Sequence, residues 1–96
     1  MSLAASLDAH AVQIRALTAK RRAANPRVFG SVRHARETSA SDIDILVDPL
    51  PGATLFDLGG LQMDLQDLLG RPVDLLTPGD VAIEFRTDVL REARPI

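Results

Sequence analysis

The 96-residue chain has no cysteine, no tryptophan and no tyrosine, and only three phenylalanines. Without cysteine there can be no disulfide framework and no thiolate metal site, which fits a reducing compartment. With so few aromatics there is no platform on which single-stranded bases could stack, which argues against a nucleic-acid partner. No apolar run approaches the length needed to span a bilayer, and Met1-Ser2-Leu3 does not open a basic-then-apolar leader. A cytoplasmic protein without a membrane partner is the simplest expectation. The core has to come from the aliphatic residues, which dominate a hydrophobic content of 46%. A chain this short buries a thin core, so a homo-oligomeric contact would help it.

The formal net charge of −2 conceals a polarity. Residues 1–36 carry seven basic groups against Asp8 alone, a balance of +6, whereas residues 37–96 carry four basic and twelve acidic groups, a balance of −8. Such an asymmetry steers charged partners without specifying them. The run Lys20-Arg21-Arg22 reads first as a solvated helix end that complements the macrodipole, and second as an anion or partner site.

Hydrophobic spacing lays out the elements. Leu3, Leu7, Ala11, Ile14 and Leu17 or Thr18 recur at helical intervals and predict an amphipathic helix over 3–23. Asn25-Pro26 should end it, because the residue before proline is pushed out of helical angles. Arg27-Val28-Phe29 predicts a short strand running into Gly30, with a helical turn over 31–36 and a polar loop over 37–41. Asp42 to Val47 predicts a strong strand with Ile43, Ile45 and Val47 on one face and Asp42, Asp44 and Leu46 on the other. Asp48 to Gly52 is a turn-rich loop, and Thr54 is placed to cap a leucine-striped helix (Leu55, Leu58, Leu61, Leu65, Leu68, Leu69) that Gly70 terminates. A third strand follows over 71–76, then a turn at Thr77-Pro78-Gly79 and a last helix over 81–93. The order implies a small α/β (α+β) fold: one domain over 1–96, with helices packed on a mixed sheet of three or more strands.

Within this frame the spacing of Gly30-Ser31, ten residues, then Asp42-Ile43-Asp44 carries the chemistry. Strand alternation puts Asp42 and Asp44 on one face, roughly 6.6 Å apart along the strand. Convergent carboxylates of this kind can share two divalent ions, the arrangement used in phosphoryl and nucleotidyl transfer, and oxygen ligands favour Mg²⁺ or Mn²⁺. Gly30 lets the backbone approach phosphate oxygens, and the amides after it, with the Ser31 hydroxyl, can cradle an anion. Arg33 and Arg36 lie within reach of the same triphosphate. Asp74, on a separate strand between Val73 and Leu75, is the candidate third carboxylate, positioned to complete the metal shell and help accept a proton. Asp48 competes for that role, being in phase with Asp42 and Asp44, but it sits beside Pro49 where the strand should be turning. A Ser-Asp pair ahead of a strand also serves simply as a turn and cap. His34 reads as a polar surface residue rather than a metal ligand, since it has no His or Cys companion nearby, and His10 is given no role.

These residues, from Val28-Phe29-Gly30-Ser31 through Ser41-Asp42-Ile43-Asp44 to Pro72-Val73-Asp74-Leu75-Leu76, resemble a minimal nucleotidyltransferase (MNT) of the DNA polymerase beta-like superfamily, over nearly the whole chain. The resemblance implies a metal-binding, catalytic triad of Asp42, Asp44 and Asp74, with Gly30, Ser31 and Arg33 at the nucleotide. It also implies a polymerase beta-like fold, two Mg²⁺ ions (Mn²⁺ as a substitute) and ATP or another nucleoside triphosphate as donor. Many such proteins resemble the MntA-like antitoxin of HEPN/MNT toxin–antitoxin modules, some of which transfer AMP from ATP to a tyrosine of the HEPN toxin. An inactive antitoxin that neutralises by complex formation is the alternative. The chain departs from the family at His34-Ala35-Arg36, where members often carry Arg-Gly-Glu, so the charge at Arg36 is inverted.

Overall fold

A computed structural model describes residues 3–29 and 43–96. Its elements run α1 (Leu3–Ala9), α2 (Ala11–Lys20), β1 (Ala23–Phe29), β2 (Ile43–Pro49), α3 (Leu55–Leu69), β3 (Val73–Leu76), α4 (Ile83–Glu92) and β4 (Arg94–Pro95), with a 3-10 turn at Pro78–Asp80 before α4. The expected turn over 31–36, the loop over 37–41 and the strand's first residue, Asp42, lie outside the described residues.

The four strands form one mixed sheet in the order β3-β2-β1-β4. β2 is antiparallel to β1 and parallel to β3, and β1 is antiparallel to β4. Parallel strands need a crossover, and α3 supplies it. The helical face of the sheet holds the core: Ile43, Ile45, Val47 and Val73 from the strands meet Leu7, Ile14, Leu61 and Leu65 from the helices. The predicted alternation along β2 therefore holds, with one addition. Leu46 is also fully buried, on the face that carries Asp44, beside its register partners Arg27 and Leu76. The 3-10 turn packs against β2.

Several expected boundaries move. The helix expected over 3–23 is two helices interrupted at His10, whose ψ of 12° departs from helical geometry. Hydrogen bonds continue across it, from His10 N–H to the Ser6 carbonyl (3.1 Å) and from Ile14 N–H to the His10 carbonyl (2.9 Å), while the His10 ring Nδ1 also lies 2.8 Å from Ser6 O. α2 stops at Lys20, because Arg22 adopts a left-handed φ of 60° and turns the chain into β1. Asn25-Pro26 does not mark a helix end but lies inside β1: a second left-handed residue, Asn25 at φ 54°, makes a register shift that accommodates the proline. β2 runs on to Pro49 because its last two residues still pair with Ala23 and Ala24. β4 has no counterpart among the expected strands.

α3 forms as its sequence dictates. The Thr54 hydroxyl accepts from Asp57 N–H and the Asp57 carboxylate accepts from Thr54 N–H, a capping box, and Gly70 closes the helix at φ 66°. Leu61 and Leu65 are buried, but Leu55, on the expected stripe, is 85% exposed, as is neighbouring Phe56 at 90%. No described helix is long and apolar enough to cross a membrane.

Candidate active site

β2 and β3 run parallel and in register, and Asp44 is the Cα partner of Asp74. Neighbouring strands lie about 4.8 Å apart and partnered side chains leave the same face, so the two carboxylates stand side by side. That face is the one turned away from the buried cluster. Asp44 is half-buried and Asp74 exposed, so the pair opens towards solvent where a substrate can reach it. On its other side Asp44 is the partner of Phe29, the residue before Gly30. The chain thus leaves the described sheet beside Asp44 and re-enters it at Ile43. Asp42, Gly30, Ser31 and Arg33 lie outside the described residues.

Asp48 is settled by its partners. It lies four residues along β2 from Asp44, about 13 Å away, too far to share an ion with it. Its carboxylate accepts from Arg27 at 3.2 Å and from Asn25 at 2.9 Å, pinning the shifted segment of β1. Asp48 is structural. The basic run at the end of α2 is engaged as well: Arg21 Nε donates to Asp64 on α3 at 3.0 Å, and Arg22 donates to the Gly52 carbonyl at 3.2 Å. Two of its three cations thus tie elements together instead of forming a free anion site.

A cavity of about 640 Å³ lies at the Asp48 end of the sheet, lined by Arg15, Thr18, Asn25, Arg27, Leu50 and Ile96 among others. Arg27 in its lining is ion-paired with Asp48, while exposed Arg15 donates one hydrogen bond to the Ile96 carbonyl at 3.3 Å.

Two residues that hydrophobic spacing does not single out support this pair. Gln62 and Gln66 on α3 reach the outer edge of β3, where their side-chain oxygens accept from the N–H groups of Leu75 and Val73, each at 3.1 Å. The available signal is two glutamines four apart, each directly following a core leucine (Leu61 and Leu65).

Among the described residues no group of three acidic, histidine or cysteine side chains gathers to hold a metal. The donor set that is described, two carboxylates in register on adjacent strands, fits a hard divalent cation completed by waters and phosphate oxygens.

A mixed sheet that presents paired carboxylates at one end of two adjacent parallel strands, β2 and the edge strand β3, suits nucleotidyl transfer. Residues 14–96 match the model of the family described as "Polymerase beta, Nucleotidyltransferase", and the chain belongs to that family. A Methanocaldococcus jannaschii protein that bears the provisional name protein adenylyltransferase is 38% identical over 66 residues, 69% of this chain and 71% of its own. A solved structure provisionally described as a minimal nucleotidyltransferase superimposes with a TM-score of 0.86 at 38% identity, covering 95% of this chain and 93% of the other. A chain from the crystal structure of a toxin–antitoxin with AMP-PNP shares the fold at a TM-score of 0.71 and 21% identity, over 88% of this chain and 69% of that one. The expected fold class is thereby met.

Proposed function

We propose that residues 1–96 act as one minimal nucleotidyltransferase domain that transfers AMP from ATP to a hydroxyl of a partner protein, with Asp42, Asp44 and Asp74 as its metal-binding carboxylates. The single observation that carries this reading is the register pairing of Asp44 with Asp74 on an open face. The provisional protein adenylyltransferase name of the relative supports the acceptor class, and the toxin–antitoxin neighbour supports a toxin as partner, which the resemblance in the sequence would make a HEPN-type protein.

Asp44 and Asp74 would hold the cation, with Asp42 as the third ligand. A bound Mg²⁺ supplies positive charge that offsets the triphosphate and makes the acceptor hydroxyl more acidic. The acceptor oxygen forms a bond to the α-phosphorus as the bond from that phosphorus to the pyrophosphate oxygen breaks, and pyrophosphate leaves with the electron pair. Asp74, exposed on β3, would take the hydroxyl proton. Gly30, Ser31 and Arg33 would contact the triphosphate.

The test is transfer of label from α-labelled ATP to a HEPN-type protein, with magnesium present or chelated. Wild type should label its partner only with metal, and Asp44→Asn and Asp74→Asn should not. Labelling that persists in both variants would sink the metal-site reading. No labelling by wild type, with neutralisation retained, would favour the occluding antitoxin.

A further inference from the structure

We propose that Gln62 and Gln66 are positioning residues for Asp74, a two-point clamp that holds β3 in the register at which Asp74 meets Asp44. The inference rests on the reading of Asp44 and Asp74 as metal ligands.

β3 is four residues long and sits at the edge of the described sheet. Parallel pairing uses alternate residues, and here Ile43 N–H donates to the Pro72 carbonyl at 3.0 Å. The N–H groups of Val73 and Leu75 point the other way, outward. Each is taken by a glutamine side-chain oxygen, Val73 by Gln66 and Leu75 by Gln62, both at 3.1 Å. Asp74 is the residue between the two clamped amides.

The spacings agree. Four residues of helix rise about 6 Å, and two residues of strand advance about 6.6 Å, so glutamines at i and i+4 match amides at j and j+2 with little distortion. The helix end of the clamp is firm. Leu61 and Leu65, each one residue before a glutamine, are fully buried. Asp64, between the glutamines, is bonded to Arg21 on α2. A one-residue slip of a strand turns every side chain to the opposite face. For so short a strand, the bonds that fix register also decide whether the Asp74 carboxylate faces Asp44 or the core. Outer partners that orient metal ligands typically contribute 10- to 100-fold in metal affinity.

The test compares two double variants. Gln62→Met with Gln66→Met keeps the side-chain length and removes both acceptors; Gln62→Glu with Gln66→Glu keeps an acceptor oxygen at the same reach. Titration of Mn²⁺ into the free protein reads the effect without turnover. The methionine pair should bind Mn²⁺ about 10-fold more weakly, and the glutamate pair should return to within about 3-fold of wild type. A folded methionine pair with wild-type affinity would overturn the proposal, as would a glutamate pair that loses as much as the methionine pair. Should the methionine pair not fold, the single variants carry the same comparison. Amide exchange at Val73 and Leu75 reads the clamp independently of any metal. Exchange should be at least about 10-fold faster in the methionine than in the glutamate variants, and equal rates would also overturn the clamp. Wild type that binds no Mn²⁺, with the exchange difference intact, would instead count against the site reading.

Discussion

Arg21 carries its guanidinium across the backbone of Gly60: a Cβ built on that glycine would lie 2.6 Å from the guanidinium carbon. The same group donates to Asp64 one turn further along α3. Gly59 next to it has open space in place of a side chain. The two adjacent glycines therefore have different reasons to be glycine. Gly59→Ala should stabilise the fold by about 0.5–1 kcal/mol through helix propensity. Gly60→Ala should gain nothing, because displacing Arg21 removes a half-exposed ion pair of roughly that size. Thermal melts of the two variants should separate by several degrees, about 4–8 °C per kcal/mol in a domain of this size. Equal melting temperatures would refute the contact.

The carboxylates of β2 should divide by role. Asp44→Asn should lower nucleotidyl transfer by about 100-fold or more, the scale of several kcal/mol of lost charge stabilisation. Asp48→Asn should leave transfer within a few-fold of wild type and lower stability by about 1 kcal/mol, since it weakens the bonds to Arg27 and Asn25. Paired assays of label transfer and thermal unfolding separate these outcomes, and a reversal of the two variants would reassign the site.

That Asp44 and Asp74 are borne on strands is legible in the sequence because each aspartate interrupts an apolar run, whereas their register pairing is not, since alternation within one strand does not say which strand lies beside it. The exclusion of Asp48 is legible only in part. Proximity to Pro49 suggests a turn, whereas the strand continues and it is Arg27 and Asn25 that occupy the carboxylate. β1 is longer than its apolar pattern implies because left-handed backbone at Arg22 and Asn25 is set by tertiary contacts, such as Leu50 N–H on the Arg22 carbonyl, and leaves no periodic trace. β4 is two residues long and includes a proline, so no alternation can reveal it. The glutamine clamp is invisible for a related reason: it joins helix spacing to strand spacing, and each looks ordinary alone.

The start of α3 offers a further check. Thr54→Ala removes the hydroxyl that accepts from Asp57 N–H at 3.2 Å and should cost about 1 kcal/mol. Thr54→Ser should retain most of the stability. Denaturant unfolding midpoints, at an unchanged slope, would measure both.

The other end of that helix responds in a different way. Gly70 sits at φ 66°, where an L side chain is strained, although a Cβ there would meet no atom within 4 Å. Gly70→Ala should therefore destabilise by about 1–2 kcal/mol for backbone reasons alone. Gly70→Asn should cost less, since asparagine tolerates the left-handed region. Indistinguishable stabilities for the two variants would contradict that origin.

The occupied amides of Val73 and Leu75 also determine how the molecule can meet others. An unpaired strand edge is a template on which a second chain can lay its own backbone, and this edge has its outward donors at those residues already taken. The opposite edge of the described sheet is β4, two residues long, one of them Pro95, which has no N–H to offer. The sheet is closed to extension by strand addition at both described margins. Any contact made at these margins has to run through side chains instead of a shared backbone ladder.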